Sequence, residues 1–167
     1  MGWSLRKQLG RAPLDIAVRQ SYIATVEQAR QPYFYESWSV PDTAIGRFDM
    51  IALHCFLVLH RLKGEASAQK FSEGYCETLF DDMDRNLREM GVGDLSVGKK
   101  IRKMAEGFFG RAAAYERALG EGNENLLDVL RRNLYADTDP DGIVLRQLAD
   151  YVQRCVVTLA AQDITSL

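Results

Sequence analysis

The sequence predicts an all-α protein: a single compact helical domain of about six helices packed around a central apolar helix. Apolar residues recur three and four positions apart in several long runs. Helix-stopping residues separate those runs, at Pro32, Gly64, Gly91 and Gly120. No stretch alternates apolar and polar residues over the length of a strand, and no internal repeat or low-complexity linker is evident. At 167 residues and 47% hydrophobic, the chain can bury one sizeable core without disulfides or metals.

The first helix is expected from about Leu14 to Arg30, with Ile16, Ile23 and Val26 facing inward. It stops before Pro32, which disfavours helix in the residue ahead of it. An aromatic connector follows, Tyr33-Phe34-Tyr35-Glu36-Ser37-Trp38. Asp42 or Thr43 can cap a second helix that reaches about Lys63; it is apolar on nearly every side and is therefore the central one. A third, from about Ala66 to Met90, carries Phe71, Tyr75, Leu79, Met83, Leu87 and Met90 as one stripe and stops at Gly91. The fourth begins near Ser96, with Val97, Ile101, Met104, Phe108, Ala112, Tyr115 and Leu119 on one face and Gly120 as terminator. Asn123 can cap a fifth through about Leu134, and Asp139-Pro140 a sixth through about Ala161.

Composition narrows the function classes. A formal charge of -2 and a pI near 5.7 give no global basic signature; no DNA partner is expected, and any contact with RNA or acidic lipid must come from a local patch. Cys55, Cys76 and Cys155 are odd in number and far apart, which suits a reducing cytoplasm better than a disulfide framework. The longest apolar run, Met50 to Leu62, falls short of the roughly 20 residues needed to cross a bilayer. The opening Met1 to Leu9 lacks the features of a signal peptide and is too short for a transit peptide, as expected of a bacterial form or a processed chain.

Gly93-Asp94-Leu95-Ser96-Val97-Gly98-Lys99-Lys100 meets most of the phosphate-loop pattern. It lacks a preceding strand, and Lys100 occupies the position where a Ser or Thr would hold magnesium, so a glycine-rich turn between helices is the reading. Lys99 and Lys100 then fall in a first helical turn, where each positive charge costs about 0.3–1 kcal/mol against the helix dipole. With Arg102 and Lys103 they form a basic patch suited to RNA phosphate, lipid phosphate or an acidic protein surface, unless Asp94 or carboxylates from Asp81 to Asp84 neutralise it.

Other polar residues are expected to be structural. The spacing pairs Asp81 with Arg85, Asp84 with Arg88 and Arg85 with Glu89 on a solvated face. Asp84 and Arg88 lie nearer the apolar border and can reach Arg47 and Asp49, so Asp42, Arg47, Asp49, His54, Asp84 and Arg88 are expected to form a structural network. His54 and His60 point to different helix faces, His54 as a hydrogen-bonded core residue. No metal, haem, cofactor or catalytic constellation is expected. Tyr33, Phe34, Tyr35 and Trp38 are candidates for contact with an apolar helix of a client protein. Gly107, Gly110 and Ala114 would allow close helix approach.

Two segments are more particular than a helical core requires, Val40-Pro41-Asp42-Thr43-Ala44-Ile45-Gly46-Arg47-Phe48-Asp49-Met50 and the run from Asp81 to Lys100. With Leu53-His54-Cys55-Phe56-Leu57 and Gly110-Arg111-Ala112-Ala113-Ala114-Tyr115 they resemble the ubiquinol–cytochrome c chaperone family, in order from about Gln20 to Tyr135. The resemblance implies a non-enzymatic assembly factor that binds newly made cytochrome b near the ribosome and delivers it to the respiratory cytochrome bc complex. It implies work in the bacterial cytoplasm, peripheral at the inner membrane, or in the mitochondrial matrix for a processed eukaryotic form. Mitochondrial relatives act with a small partner protein. The segment from Ala136 to Leu167 aligns with no motif and is either fold completion or a docking helix. A small-ligand or phospholipid-binding helical protein is the alternative, its cavity lined by the apolar second helix.

Overall fold

A computed structural model of the chain describes residues 11–136 and 138–162; the expectation about Met1 to Leu9 lies outside them. Among the described residues the helices are α1 (Arg11–Ala29), α2 (Pro32–Glu36), α3 (Ala44–Leu62), α4 (Gln69–Glu89), α5 (Asp94–Glu121), α6 (Asn123–Leu134) and α7 (Gly142–Ala160), with a 3-10 turn at Ala66–Ala68 before α4. The longer helices match those expected from the sequence. The aromatic connector is itself one short helix, started by Pro32, whose fixed φ and missing N–H suit a first turn.

The central helix α3 is buried without interruption from Asp49 to Val58. Thr43 caps it, Oγ1 accepting the Gly46 N–H at 3.1 Å. The chain enters so tightly that a Cβ on Gly46 would stand 2.0 Å from the Pro41 carbonyl oxygen, which accounts for glycine in the Val40–Met50 segment. Around α3 the neighbours pack in sequence, α1 on α4, α4 on α5, α5 on α6 and α6 on α7. The ring is least closed between α1 and α7, and α2 lies beside that opening, the Gln28 side chain reaching both Tyr33 and Tyr151. The segment after Ala136 completes the fold, since α7 buries Leu145, Leu148, Ala149 and Val152 against α3 and α6.

Several boundaries and faces differ from expectation. On α1, Ile16 and Ile23 are 57% and 47% exposed, whereas Val18, Ser21, Tyr22, Thr25 and Ala29 face the core and Val26 packs at its edge. Hydrogen bonds make that polar stripe buriable: Thr25 Oγ1 donates to the Ser21 carbonyl at 2.9 Å, Tyr75 donates to Thr25 Oγ1 at 2.7 Å and Tyr22 donates to Asp82 at 2.9 Å. Met90 lies past the end of α4 and is exposed, because Gly91 at φ 81° turns the chain away. Gly120 is helical and Gly122, at φ 110°, marks the end of α5. Asn123 is the first residue of α6 rather than its cap. Asp141 caps α7, accepting the Ile143 N–H at 2.8 Å, in place of Asp139. Gly110 faces open space, so no small-residue contact forms there.

Candidate functional site

The opening between α1 and α7 gathers aromatic residues from separate parts of the chain. Phe34 is fully buried and so cannot touch a client, which corrects the expectation for that residue; its ring packs at centroid distances of 4.2 Å on Tyr33, 5.4 Å on Trp38, 5.4 Å on His54 and 5.2 Å on Tyr151. Tyr33 and Trp38 meet edge to face at 5.2 Å, a preferred geometry for such rings. Tyr33, Tyr35 and Trp38 are each half-buried; Tyr33 and Trp38 belong to the ring cluster, whereas Tyr35 makes no ring contact with it and lies near Asp42 and Arg47. Backbone acceptors hold the segment in place, Tyr35 donating to the Ala29 carbonyl at 2.8 Å and Tyr135 to the Trp38 carbonyl at 2.7 Å.

Beneath them, His54 has the buried, hydrogen-bonded setting expected of it. Nδ1 lies 2.8 Å from the Met50 carbonyl, which can only accept, so Nδ1 carries the proton and Nε2 accepts from the Tyr151 hydroxyl at 2.7 Å. Gln28 Nε2 then donates to both Tyr151 and Tyr33 at 3.1 Å. Burial pulls the His54 imidazole down to about 4 against the opposing Met50 bond, so it is neutral at pH 7. Burial also pushes the Tyr151 phenol and the Cys155 thiol up. These protonation states suit a fixed scaffold rather than proton transfer at neutral pH. Beside the cluster, α1, α3 and α7 line a groove of about 620 Å³ with Ala24, Leu57, Val58 and Leu159 on its walls and Arg154 at its border.

The expected network divides into separate pairs. Arg47 bonds Asp42 at 2.5 Å on the surface, which holds the Asp42 carboxyl below its usual range. Asp49 instead faces Arg111 of α5 at 2.9 Å; burial pushes its carboxyl up to about 6 despite that charge. Arg88 bonds Asp84 at 2.6 Å and also Asp94, so it ties α4 to the start of α5 and does not reach the Val40–Met50 segment. The two segments are thus adjacent to different helices, and the expectation that they bond one another is corrected. Asp81–Arg85 and Arg85–Glu89 do not pair among the described residues, while His60 and Lys63 share Glu116 at 2.7 Å each.

Lys99, Lys100, Arg102 and Lys103 are all exposed. Because α5 starts at Asp94, the lysines lie beyond its first turn, and an acidic residue occupies the dipole's positive end. The expected dipole conflict is therefore absent. Neutralisation by Asp94 or Asp84 is absent too, since Arg88 occupies both.

Gln28, Tyr151 and Arg111 were missed by sequence reasoning as site residues. Gln28 and Tyr151 are 123 residues apart, and no local spacing signals such a pairing.

Among known proteins, the model of the family described as Ubiquinol-cytochrome C chaperone matches residues 36–167, which includes the segment after Ala136. The ubiquinol-cytochrome-c reductase complex assembly factor 1 of Xenopus laevis is 27% identical over 98% of this chain and 82% of its own length. The human protein of that name is 23% identical over 98% of this chain and 55% of its length. A crystal structure of the Cbp3 homolog from Brucella abortus superposes with a TM-score of 0.84 at 34% identity, covering 97% of this chain and 91% of that one.

Proposed function

Because this chain belongs to the ubiquinol–cytochrome c chaperone family, we propose that it is a non-enzymatic assembly factor for the respiratory cytochrome bc complex whose client is newly made cytochrome b. The observation that carries the client assignment is the pair of half-exposed rings Tyr33 and Trp38, which pack against the groove residues Gln28 and Tyr151, with half-exposed Tyr35 on the same short helix. An apolar helix can lie across such an edge and shield its own surface before its partners arrive. Phe34 acts from beneath, since it is fully buried and fixes the rings that touch the client. Among the described residues no helix is long and apolar enough to cross a membrane. In this reading the chain meets its client at the cytoplasmic side of the inner membrane, or in the matrix in a processed eukaryotic form.

Photo-crosslinking tests the reading. A photoreactive residue at Tyr35 or Trp38 should capture cytochrome b during its synthesis, and the same residue at the exposed Ile143 should not. Equal capture at all three positions, or none, would reject the aromatic edge as the client surface. Deletion of the protein should remove the b-type haem signal and ubiquinol–cytochrome c reductase activity together. The 620 Å³ groove also favours a second reading, a small lipid or quinone ligand. A co-purifying ligand in native mass spectrometry, with an unchanged haem spectrum in the deletion strain, would replace the first reading with this one.

A further inference from the structure

We propose that the turn joining α4 to α5, together with the basic face of α5, docks on an anionic lipid bilayer. Met90 on one side of the turn is 63% exposed and Leu95 on the other is 102% exposed, as open as in an extended peptide. Gly91, in the left-handed region, and the Val92 N–H bond to the Leu87 carbonyl at 3.0 Å close the turn tightly. The Arg88 fork on Asp84 and Asp94 ties it to both helices. A pinned turn is an unfavourable place for bare apolar side chains in water, where each loses the stabilisation that burial would bring.

The charges beside it say what covers them. Lys99, Arg102 and Lys103 follow Leu95 along one face at helical spacing, and Lys100 flanks that face. The face opposes the stripe of Val97, Ile101, Met104 and Phe108 that packs inward. All four cations are exposed, and none forms an ion pair or side-chain hydrogen bond among the described residues. Of the carboxylates that could have neutralised them, Asp84 and Asp94 are held by Arg88 and Asp82 accepts from Tyr22, and Asp81 pairs with none of the four among the described residues. Glu106, three and four residues beyond Lys103 and Arg102 on the same face, offsets one of these charges, so the face keeps a net positive charge although the whole chain carries -2.

A bilayer with anionic headgroups satisfies both halves. Leu95 and Met90 enter the boundary of the acyl region, while long lysine and arginine side chains reach back to phosphate. RNA would use the cations but not the apolar tip, and the turn offers no aromatic ring for base stacking. Neither half suffices alone, because a few apolar side chains or a few charges give only weak, reversible attachment. The surface is separate from the aromatic edge and its action needs no client, so it can fail without disturbing the assembly-factor reading.

The test is co-sedimentation of the full purified chain with vesicles of phosphatidylcholine alone or mixed with phosphatidylglycerol. Wild type should bind the anionic vesicles, ignore the neutral ones, and detach as salt rises. Changing Lys99, Lys100, Arg102 and Lys103 to Gln should weaken binding by at least about 100-fold. Met90→Ser with Leu95→Ser should weaken it by about tenfold or more, with helical content unchanged in both variants. Binding unaffected by either set of changes would overturn the proposal. So would attachment to a structured RNA that is as tight as to anionic vesicles and indifferent to the Met90 and Leu95 changes, which would assign the cations to RNA.

Discussion

Two buried polar centres flank the central helix, and they solve the same problem in opposite ways. Asp49 and His54 lie on α3 about 140° apart, so they face different neighbours. His54 is neutral, with both ring nitrogens bonded, and sits under a lid of aromatic rings. Asp49 faces α5 across a 2.9 Å charge contact in which no Arg111 N–H is well aligned, and the Tyr115 hydroxyl and Asn133 amide nitrogen are likewise buried without an aligned partner. The satisfied centre lies next to the proposed client edge, where ring positions must be fixed. The strained one lies where α5 and α6 close the ring. A fully bonded neutral network specifies geometry at little electrostatic cost, whereas a buried charge with one imperfect partner stays poorly compensated.

The largest test of this contrast removes the packing on the His54 side. Phe34→Ala should cost about 3–5 kcal/mol in chemical denaturation, because it empties the space between Tyr33, Trp38, His54 and Tyr151. A loss below 1 kcal/mol would mean that Tyr33 and Trp38 collapse into the gap and that the cluster is not a rigid support.

The next test uses pH, since the two centres tilt stability in opposite directions. The folded pKa of His54, about 4, lies below its ordinary 6.5, so the unfolded chain binds more protons between these values. Its contribution therefore falls as pH drops from about 6.5 to 4. The folded pKa of Asp49, about 6, lies above its ordinary 3.8, so here the folded chain binds more protons, and its contribution falls as pH rises from about 4 to 6. Each is worth about 3 kcal/mol, and in the wild type they largely cancel. Asp49→Asn should expose the His54 slope, with urea stability declining by about 3 kcal/mol on acidification from pH 6.5 to 4. His54→Gln should show the reverse slope. If Asp49→Asn kept the wild-type pH profile, the carboxyl would not be strained.

The same contrast explains what could be read from sequence. The helices α3 and α4 were legible because their buried faces are apolar: Leu53, Phe56 and Leu57 on one, Tyr75, Leu79 and Met83 on the other. The face of α1 was not, because Tyr22 is buried with its hydroxyl bonded to Asp82 and Thr25 with its hydroxyl bonded to Tyr75 and the Ser21 carbonyl, while Ile16 and Ile23 face solvent. His54 was legible as a core residue from its apolar surroundings, but its partner Tyr151 lies 97 residues away. The distinctive Val40–Met50 and Asp81–Lys100 segments were visible as unusual, yet that two segments are unusual says nothing about contact between them. Each serves its own helix start, Gly46 beneath Pro41 and Arg88 across the α4–α5 turn.

The smallest and sharpest test compares two tyrosine hydroxyls. The Tyr151 hydroxyl donates to His54 Nε2 and accepts from Gln28, so Tyr151→Phe leaves a buried ring nitrogen without its donor and should cost about 1–3 kcal/mol. It should also raise the His54 pKa, because the lost bond favoured the neutral, accepting form. The Tyr115 hydroxyl is buried beside the Asn133 side chain in poor alignment for a hydrogen bond, so Tyr115→Phe loses little bonding and should cost less than about 1 kcal/mol. Denaturation curves for the two variants, with the His54 titration followed by NMR, measure both effects. Equal losses would show that Tyr115 has a hydrogen-bond partner and that the two sides of α3 are equally well satisfied. A loss confined to Tyr151→Phe would show that hydrogen bonding on the His54 side, and not phenol burial in general, holds the aromatic edge where a client can meet it.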